Sequence, residues 1–267
     1  MLTSRIVSAT VLICLALLAI YLGGWWFVAA LAVLVILGQQ EYFRMVYRKG
    51  HRPTAWLCLV FSLVLLVVQQ AVPDLSTLVF VLSGTLICFS LLFEAEPPSI
   101  DDMATSLLGL FYAGLLPSYL VRLRALDQGV YFLLLTFACI WAADIGAFFF
   151  GKAFGKTRLS PRISPKKTVE GAIFGIGGSI LVGLLGAMWM QWTAWPLTGV
   201  AFGLLIGVAG LLGDLTESLM KRDAGLKDSG ELIPGHGGVM DRADSYIFTA
   251  PLAFYFISLV VLQQPLL

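Results

Sequence analysis

Four aspartates stand out as candidates for chemistry because they lie in or beside strongly apolar segments: Asp144, Asp214, Asp241 and Asp244. The chain is 59% hydrophobic and only 12% charged. A carboxylate inside a membrane helix, or at its mouth, is costly and by default marks an ion, proton or substrate site. We therefore take these four aspartates as candidate catalytic residues.

The spacing of the acids favours a divalent cation. Asp214 and Glu217 are three residues apart, as are Asp241 and Asp244, and residues at this spacing share one helix face. Mg²⁺ typically takes one or two carboxylates, keeps several waters and completes its shell with substrate phosphate oxygens. These four acids and Asp144 are thus candidate ligands for Mg²⁺ or Mn²⁺. The competing explanation is that the acids pair with neighbouring lysines and arginines as interfacial salt bridges.

Two basic stretches suggest a phosphorylated substrate. Lys166 and Lys167 lie directly before a predicted membrane helix, with Thr168 as its predicted N-cap. Backbone N–H groups at a helix N-terminus already favour anions, so the two lysines predict a phosphate-binding site. The second stretch runs from Ser218 to Asp244 and supplies further candidate substrate-binding residues: Ser218, Lys221, Arg222, Lys227, His236 and Arg242. The glycines beside His236 would permit close approach of the backbone to a ligand, although a lone loop histidine often only donates local hydrogen bonds.

The composition predicts an all-α, polytopic integral membrane protein. A soluble domain carries about a quarter charged residues, roughly twice the fraction found here. Since a spanning helix needs about twenty mostly apolar residues, we predict about nine spans in a single membrane-embedded domain, 1–267. We divide it into N-terminal helices, 1–93, and catalytic helices, 94–267. The predicted spans are Ile6–Leu22, a short Trp25–Leu37, Ala55–Val72, Leu75–Phe93, Met103–Val121, Val130–Phe150, Val169–Gln191, Leu197–Met220 and Ser245–Leu262.

Small residues recur every four positions along the seventh and eighth predicted spans. Gly171, Gly175, Ser179 and Gly183 form the first such series, and Gly203 belongs to the second. This spacing lets membrane helices approach closely, so we interpret these residues as packing contacts without chemistry.

The distribution of positive charge predicts the orientation. With a cytoplasmic N-terminus, 15 of the 17 lysines and arginines lie on the cytoplasmic side, and only Arg122 and Arg124 lie outside. Cytoplasmic loops of membrane proteins are enriched in these residues. We therefore predict a multi-pass protein of the cell inner (plasma) membrane, with its N-terminus and its active site facing the cytoplasm. Under this assignment all the candidate acids converge at one depth.

The stretch from Ser218 to Asp244 resembles the signature of the phosphatidate cytidylyltransferases, also called CDP-diacylglycerol synthases. The matching positions are Ser218, Met220, Lys221-Arg222, Lys227-Asp228, Pro234, His236-Gly237-Gly238 and Asp241-Arg242-Ala243-Asp244. The resemblance implies that CTP reacts with phosphatidic acid to give CDP-diacylglycerol and pyrophosphate. It also implies an acidic divalent-metal site, contact with the lipid bilayer and a homodimer. No nucleic-acid partner is expected. Ala243 departs from the bulkier apolar residue or Thr usual there, which bears on packing.

Two alternative functions would use the same candidate residues. One is another CTP- or CDP-dependent lipid phosphotransferase, although the Asp-Gly-x-x-Ala-Arg pattern of the CDP-alcohol phosphotransferases is absent. The other is a cation- or proton-coupled membrane transporter that uses the same acids. Many transporters contain repeated halves, whereas this sequence has no evident internal repeat, and a basic glycine-rich loop has no obvious role in cation transport.

Overall fold

The computed structural model describes residues 2–94, 97–232 and 237–263, and almost all of its regular structure is helical. Within these residues, ten α-helices follow in chain order: α1 (Leu2–Leu22), α2 (Gly24–Arg48), α3 (Ala55–Ala71), α4 (Ser76–Leu91), α5 (Ile100–Leu110), α6 (Leu116–Ala125), α7 (Gly129–Phe154), α8 (Val169–Trp189), α9 (Trp195–Asp223) and α10 (Met240–Phe256). Short π-helical segments, Phe111–Leu115 and Ile257–Val261, connect α5 to α6 and extend α10. The predicted all-α architecture is confirmed.

Seven helical segments of the described chain are long and apolar enough to cross a membrane. They are Gly24–Arg48, Pro73–Leu91, Ile100–Ala125, Gly129–Phe154, Val169–Trp189, Trp195–Asp223 and Met240–Val261. Two shorter apolar helices, Ile13–Leu22 and Ala55–Ala71, coincide with two further predicted spans. The protein is therefore a polytopic membrane protein, but the count of nine spans is not confirmed.

The second helix is longer than the sequence predicted. The predicted span ended at Leu37, two residues before the polar run Gln39-Gln40-Glu41, whereas α2 continues to Arg48. The side chains of Gln39 and Glu41 are buried, at 1% and 6% exposure. Gln39 donates a 2.6 Å hydrogen bond to Ser62 Oγ on α3. Polar residues can occupy a membrane helix when protein partners satisfy them, and this is why the apolar pattern underestimated the helix.

Contacts divide the chain into two compact units. The first comprises residues 1–127 and 220–243, and the second comprises residues 128–219 and 244–267. In the first unit, α3 packs against α2, α4, α5 and α6. The core of this unit includes Leu65, Leu66 and Tyr112, whose side chains are at most 1% exposed. The prediction of a single domain stays a prediction.

In the second unit, α7, α8 and α9 approach each other closely at glycines. A Cβ on Gly175 would lie 2.6 Å from Ala143 O on α7, and a Cβ on Gly183 would lie 2.8 Å from Gly203 N on α9. Ser179 Oγ adds a 2.7 Å hydrogen bond to Gly203 O. The small-residue series is therefore a helix-packing feature, as predicted.

A two-stranded antiparallel hairpin precedes α8, and the sequence reading did not predict it. Its strands are β1 (Arg158–Ser160) and β2 (Ser164–Thr168). Thr168 caps α8, since its hydroxyl accepts a 3.1 Å hydrogen bond from Gly171 N, and this confirms the predicted N-cap. The carboxylate of Glu170 accepts hydrogen bonds from Lys156 N and Thr157 N, which ties the entry of the hairpin to the first turn of α8.

Candidate active site

Three of the predicted aspartates belong to the second unit, and each lies on a different helix. Asp144 is on α7, Asp214 on α9 and Asp244 on α10. Asp244 interacts electrostatically with both Asp214 and Asp144, and also with Lys167. In the second unit, Asp244 therefore lies within electrostatic range of two carboxylates on other helices and of one lysine.

Close helix packing holds these acids near each other. Gly213, next to Asp214, packs so tightly that a Cβ there would lie 2.7 Å from Asp244 O. On the other side, Trp141 Nε1 on α7 donates a hydrogen bond of 2.5 Å to the hydroxyl of Tyr246 on α10. Each of these contacts lies within one helical turn of an aspartate, so helix packing determines the separation of the carboxylates.

The two neighbouring lysines of β2 have different surroundings. Lys167 Nζ lies 2.5 Å from Asp214 Oδ2, and the side chains of the pair are 23% and 28% exposed. Lys166 is exposed. Successive side chains of a strand point to opposite faces, so only one of two adjacent lysines can face the acids. The structure thus associates Lys167 with the carboxylates and directs Lys166 away from them.

Asp214 has a second polar neighbour on its own helix. Ser218 Oγ donates a 3.3 Å hydrogen bond to Asp214 Oδ1 one turn further along α9. Glu217, on the same turn, is completely buried. Although Asp214 and Glu217 are only three residues apart, they therefore lie in different environments, one partly accessible and one enclosed.

Asp241 belongs to the first unit, where its carboxylate accepts hydrogen bonds from Lys221 and from two backbone N–H groups. Lys221 Nζ donates to Oδ1 at 2.6 Å, while Ser229 N and Gly238 N donate to Oδ2, both at 2.8 Å. Ser229 Oγ lies 3.0 Å from Oδ2, and the side chain of Asp241 is 6% exposed. A metal ion would have to bind Asp241 beside the Lys221 ammonium group or in its place.

Glu41 in α2 is a further buried acid that the sequence reading missed. Its carboxylate accepts hydrogen bonds from Ser229 Oγ, Val239 N and Met240 N, at 2.8, 2.9 and 2.9 Å. The rule that marks acids within membrane helices applies to Glu41 as well. The predicted span ended at Leu37, so Glu41 lay outside the membrane helices that the sequence predicted.

The remaining predicted substrate-binding residues lie in or near the polar segment between α9 and α10. Arg222 Nη1 donates to Leu226 O at 3.0 Å, within that segment. Lys227 and Arg242 are exposed. His236 lies outside the described residues. Substrate binding by these residues therefore stays a prediction.

The donor set of the second unit suits Mg²⁺ in its chemistry. Among the described residues, no three acidic, histidine or cysteine side chains converge closely enough to hold a metal by themselves. Mg²⁺ needs only one or two carboxylates and completes its shell with water and phosphate oxygens. The Asp144, Asp214 and Asp244 carboxylates can meet that requirement.

Comparison with known proteins identifies the family. Residues 3–260 match the model of the "Cytidylyltransferase family". A protein of Synechocystis sp. named "Phosphatidate cytidylyltransferase" is 53% identical, with 97% of each chain covered. The Arabidopsis thaliana "Phosphatidate cytidylyltransferase 4, chloroplastic" is 38% identical, covering 88% of this chain and 68% of the relative. These matches agree with the family that the Ser218–Asp244 signature indicated, and the chain belongs to the cytidylyltransferase family.

Proposed function

We propose that this protein transfers the cytidylyl group of CTP to phosphatidic acid, forming CDP-diacylglycerol and pyrophosphate for phospholipid biosynthesis. The observation that carries this proposal is the 53% identity to a phosphatidate cytidylyltransferase over 97% of both chains. The signature segment and the polytopic membrane fold agree with it. The transporter alternative has no support from the family match.

The reaction needs little covalent chemistry from the protein. A phosphate oxygen of phosphatidic acid attacks the α-phosphorus of CTP, and a new P–O bond forms as the bond from the α-phosphorus to the bridging oxygen breaks. Pyrophosphate leaves with the electron pair of that bond. Because the nucleophile belongs to the substrate, the protein has to position two anions and offset their repulsion.

The acids of the second unit would hold a divalent metal. We assign this role first to Asp144, Asp214 and Asp244, which interact electrostatically across three helices. When bound, Mg²⁺ or Mn²⁺ would neutralise part of the triphosphate charge and orient it. Metal binding by Glu217 and Asp241 remains part of the proposal from their spacing in the sequence.

Lys167 is the basic residue that supports phosphate binding most directly. Its ammonium group lies against Asp214 and carries three N–H donors, so it can serve both a carboxylate and a phosphate oxygen. It also lies directly before the N-terminus of α8, where backbone N–H groups favour anions. Lys221 and Arg222 of the signature segment are further proposed substrate-binding residues, on the basis of their place in the sequence.

The proposed location is the cell inner membrane, with the basic loops and the site on the cytoplasmic side, where CTP is available. The bias of positive residues supports this orientation. A homodimer is part of the proposal and rests on the family resemblance alone.

A direct assay tests the function. Purified protein in lipid–detergent micelles should convert radiolabelled CTP and phosphatidic acid into CDP-diacylglycerol and release one pyrophosphate per lipid formed. Diacylglycerol in place of phosphatidic acid is the matched control, since it lacks the attacking phosphate. Failure to form CDP-lipid in the presence of Mg²⁺ and Mn²⁺ would overturn the proposal, whereas CTP-dependent phosphorylation of diacylglycerol would replace it by a lipid kinase activity.

A further inference from the structure

We infer that Glu41 is a positioning residue for cytidylyl transfer, which acts by holding Ser229 and the start of α10 and thereby orienting Asp241. This inference rests on the proposed function, because its readout is the rate of CDP-lipid formation. It extends the functional machinery to α2, in a part of the chain where the sequence indicated no chemistry.

The Glu41 carboxylate is buried and fully engaged. It is 6% exposed and accepts three hydrogen bonds of 2.8–2.9 Å, from Ser229 Oγ, Val239 N and Met240 N. A buried carboxylate without such partners would be very costly, whereas hydrogen bonds to a charged acceptor are among the stronger ones in proteins. The hydrogen bonds therefore offset the cost of burying Glu41 and connect the membrane helix α2 to a segment almost 200 residues away in sequence.

Two of these bonds cap α10 from outside the helix. Met240 N belongs to the first turn of α10, where the N–H groups have no partner within the helix, and Val239 directly precedes that helix. A negative charge at this end also interacts favourably with the helix dipole. Glu41 therefore determines where α10 begins, and Asp241 is the next residue along that helix.

The third bond links Glu41 to Asp241 through one hydroxyl group. Ser229 Oγ lies 2.8 Å from Glu41 Oε2 and 3.0 Å from Asp241 Oδ2, but it has a single proton to donate. Asp241 Oδ2 already accepts Ser229 N and Gly238 N. We assign the proton to Glu41, which leaves the hydroxyl oxygen to accept Asp241 N–H at 3.3 Å. Removal of the Glu41 charge would free this hydroxyl to turn towards Asp241.

Two glycines leave room for the Glu41 carboxylate. A Cβ on Gly230 would lie 2.5 Å from Glu41 Oε1, and a Cβ on Gly238 would collide with both Ser229 Oγ and Glu41 Oε2. Gly230 does not require the left-handed backbone conformation, so alanine there disturbs the contact with the carboxylate and not the local backbone. The chain thus offers a way to displace the carboxylate without mutating Glu41.

The first test replaces Glu41 by Gln, which keeps the size of the side chain and removes its charge. The amide group would face a backbone N–H with an N–H of its own. We expect kcat and kcat/KM to fall together by roughly 10–100-fold, since small displacements of a functional group cost this much in rate. KM for CTP should stay close to the wild-type value.

The matched control is Gln39→Ala, two residues earlier on the same helix. Gln39 is also buried, but its amide donates to Ser62 Oγ and to carbonyl groups of Cys58 and Gly109. This variant should lower the melting temperature and leave kcat per folded molecule unchanged. If Glu41→Gln behaves in the same way, Glu41 has only a structural role and the inference is wrong.

The second test uses Gly230→Ala, alone and combined with Glu41→Gln. Gly230→Ala should reproduce the loss of kcat, and the double variant should lose little more, because both changes remove the same interaction. A wild-type kcat for Gly230→Ala, or failure of both single variants to accumulate as folded protein, overturns the inference. An inactive wild type instead overturns the proposed function, so the two failures are distinguishable.

Discussion

The two adjacent lysines of β2 provide the sharpest test of the proposed site. Lys167 contacts Asp214 at 2.5 Å, whereas Lys166 is exposed on the other face of the strand. The two residues have the same charge and differ by one position, so a requirement for positive charge in the loop would treat them alike. We predict that Lys167→Ala impairs the enzyme and that Lys166→Ala does not.

The expected size of the effect follows from the burial of the ion pair. Exposed pairs contribute about 0.2–1 kcal/mol, and breaking a buried pair costs about 3–5 kcal/mol. The side chains of Lys167 and Asp214 are 23% and 28% exposed, so the pair lies between these limits. If the Lys167 ammonium group contributes about 2 kcal/mol, a value between these limits, to binding the substrate phosphate in the transition state, kcat/KM should fall about 30-fold, at about 1.4 kcal/mol per tenfold change in rate.

The assay is CDP-lipid formation by purified protein, with CTP and phosphatidic acid varied in turn. Lys166→Ala serves as the matched control and should stay within about threefold of wild type, which is less than 1 kcal/mol. Lys167→Arg adds a test of shape, because a planar guanidinium group does not replace a compact ammonium group in a fitted site; it should restore only part of the activity. Equal losses in Lys166→Ala and Lys167→Ala, or a larger loss in Lys166→Ala, would refute the assignment of Lys167 to the site.

Three further predictions concern the metal, the packing and the topology. Replacing Asp144, Asp214 or Asp244 by Asn should reduce activity by roughly 100-fold or more, as expected for loss of a charged group in such a site. Chelation should abolish wild-type activity until Mg²⁺ or Mn²⁺ is restored. Wild-type turnover and metal dependence in all three variants would contradict the metal site. Gly213→Ala should lower the free energy of unfolding by about 1–3 kcal/mol, because the added methyl group would lie 2.7 Å from Asp244 O. The melting temperature and the activity should fall together. An unchanged melting temperature would show that the helices can separate freely there. A single cysteine next to Lys156 should react with an impermeant maleimide only after the membrane is permeabilised, and labelling of intact cells would reverse the proposed orientation.

The sequence alone determined the features that depend on local composition and short spacing. The apolar segments predicted membrane helices, the series from Gly171 to Gly183 predicted close packing, and Thr168 predicted the start of α8. Each of these depends on residues within a few turns of one another, where helix geometry relates spacing directly to position. The signature from Ser218 to Asp244 likewise identified the family because it is contiguous.

The tertiary structure decided which polar groups meet. Glu41 contacts Ser229, Val239 and Met240 across sequence separations of 188–199 residues, and no local pattern encodes such a pairing. Glu41 also lies in a short polar run, Gln39-Gln40-Glu41, and such a run is typical of the end of a membrane span.

The structure likewise separated residues that the sequence had grouped together. The sequence assigned Lys166 and Lys167 to one phosphate-binding site, but the alternation of side chains along β2 directs only Lys167 to Asp214. Asp241 and Asp244 share a helix and a spacing, yet Asp241 is held by Lys221 and backbone N–H groups while Asp244 interacts with Asp214 and Asp144. The residue types and their spacing indicated which groups could do chemistry. The partners of each group depend on long-range packing, because a buried charge is stable only where the fold brings it donors or an opposite charge.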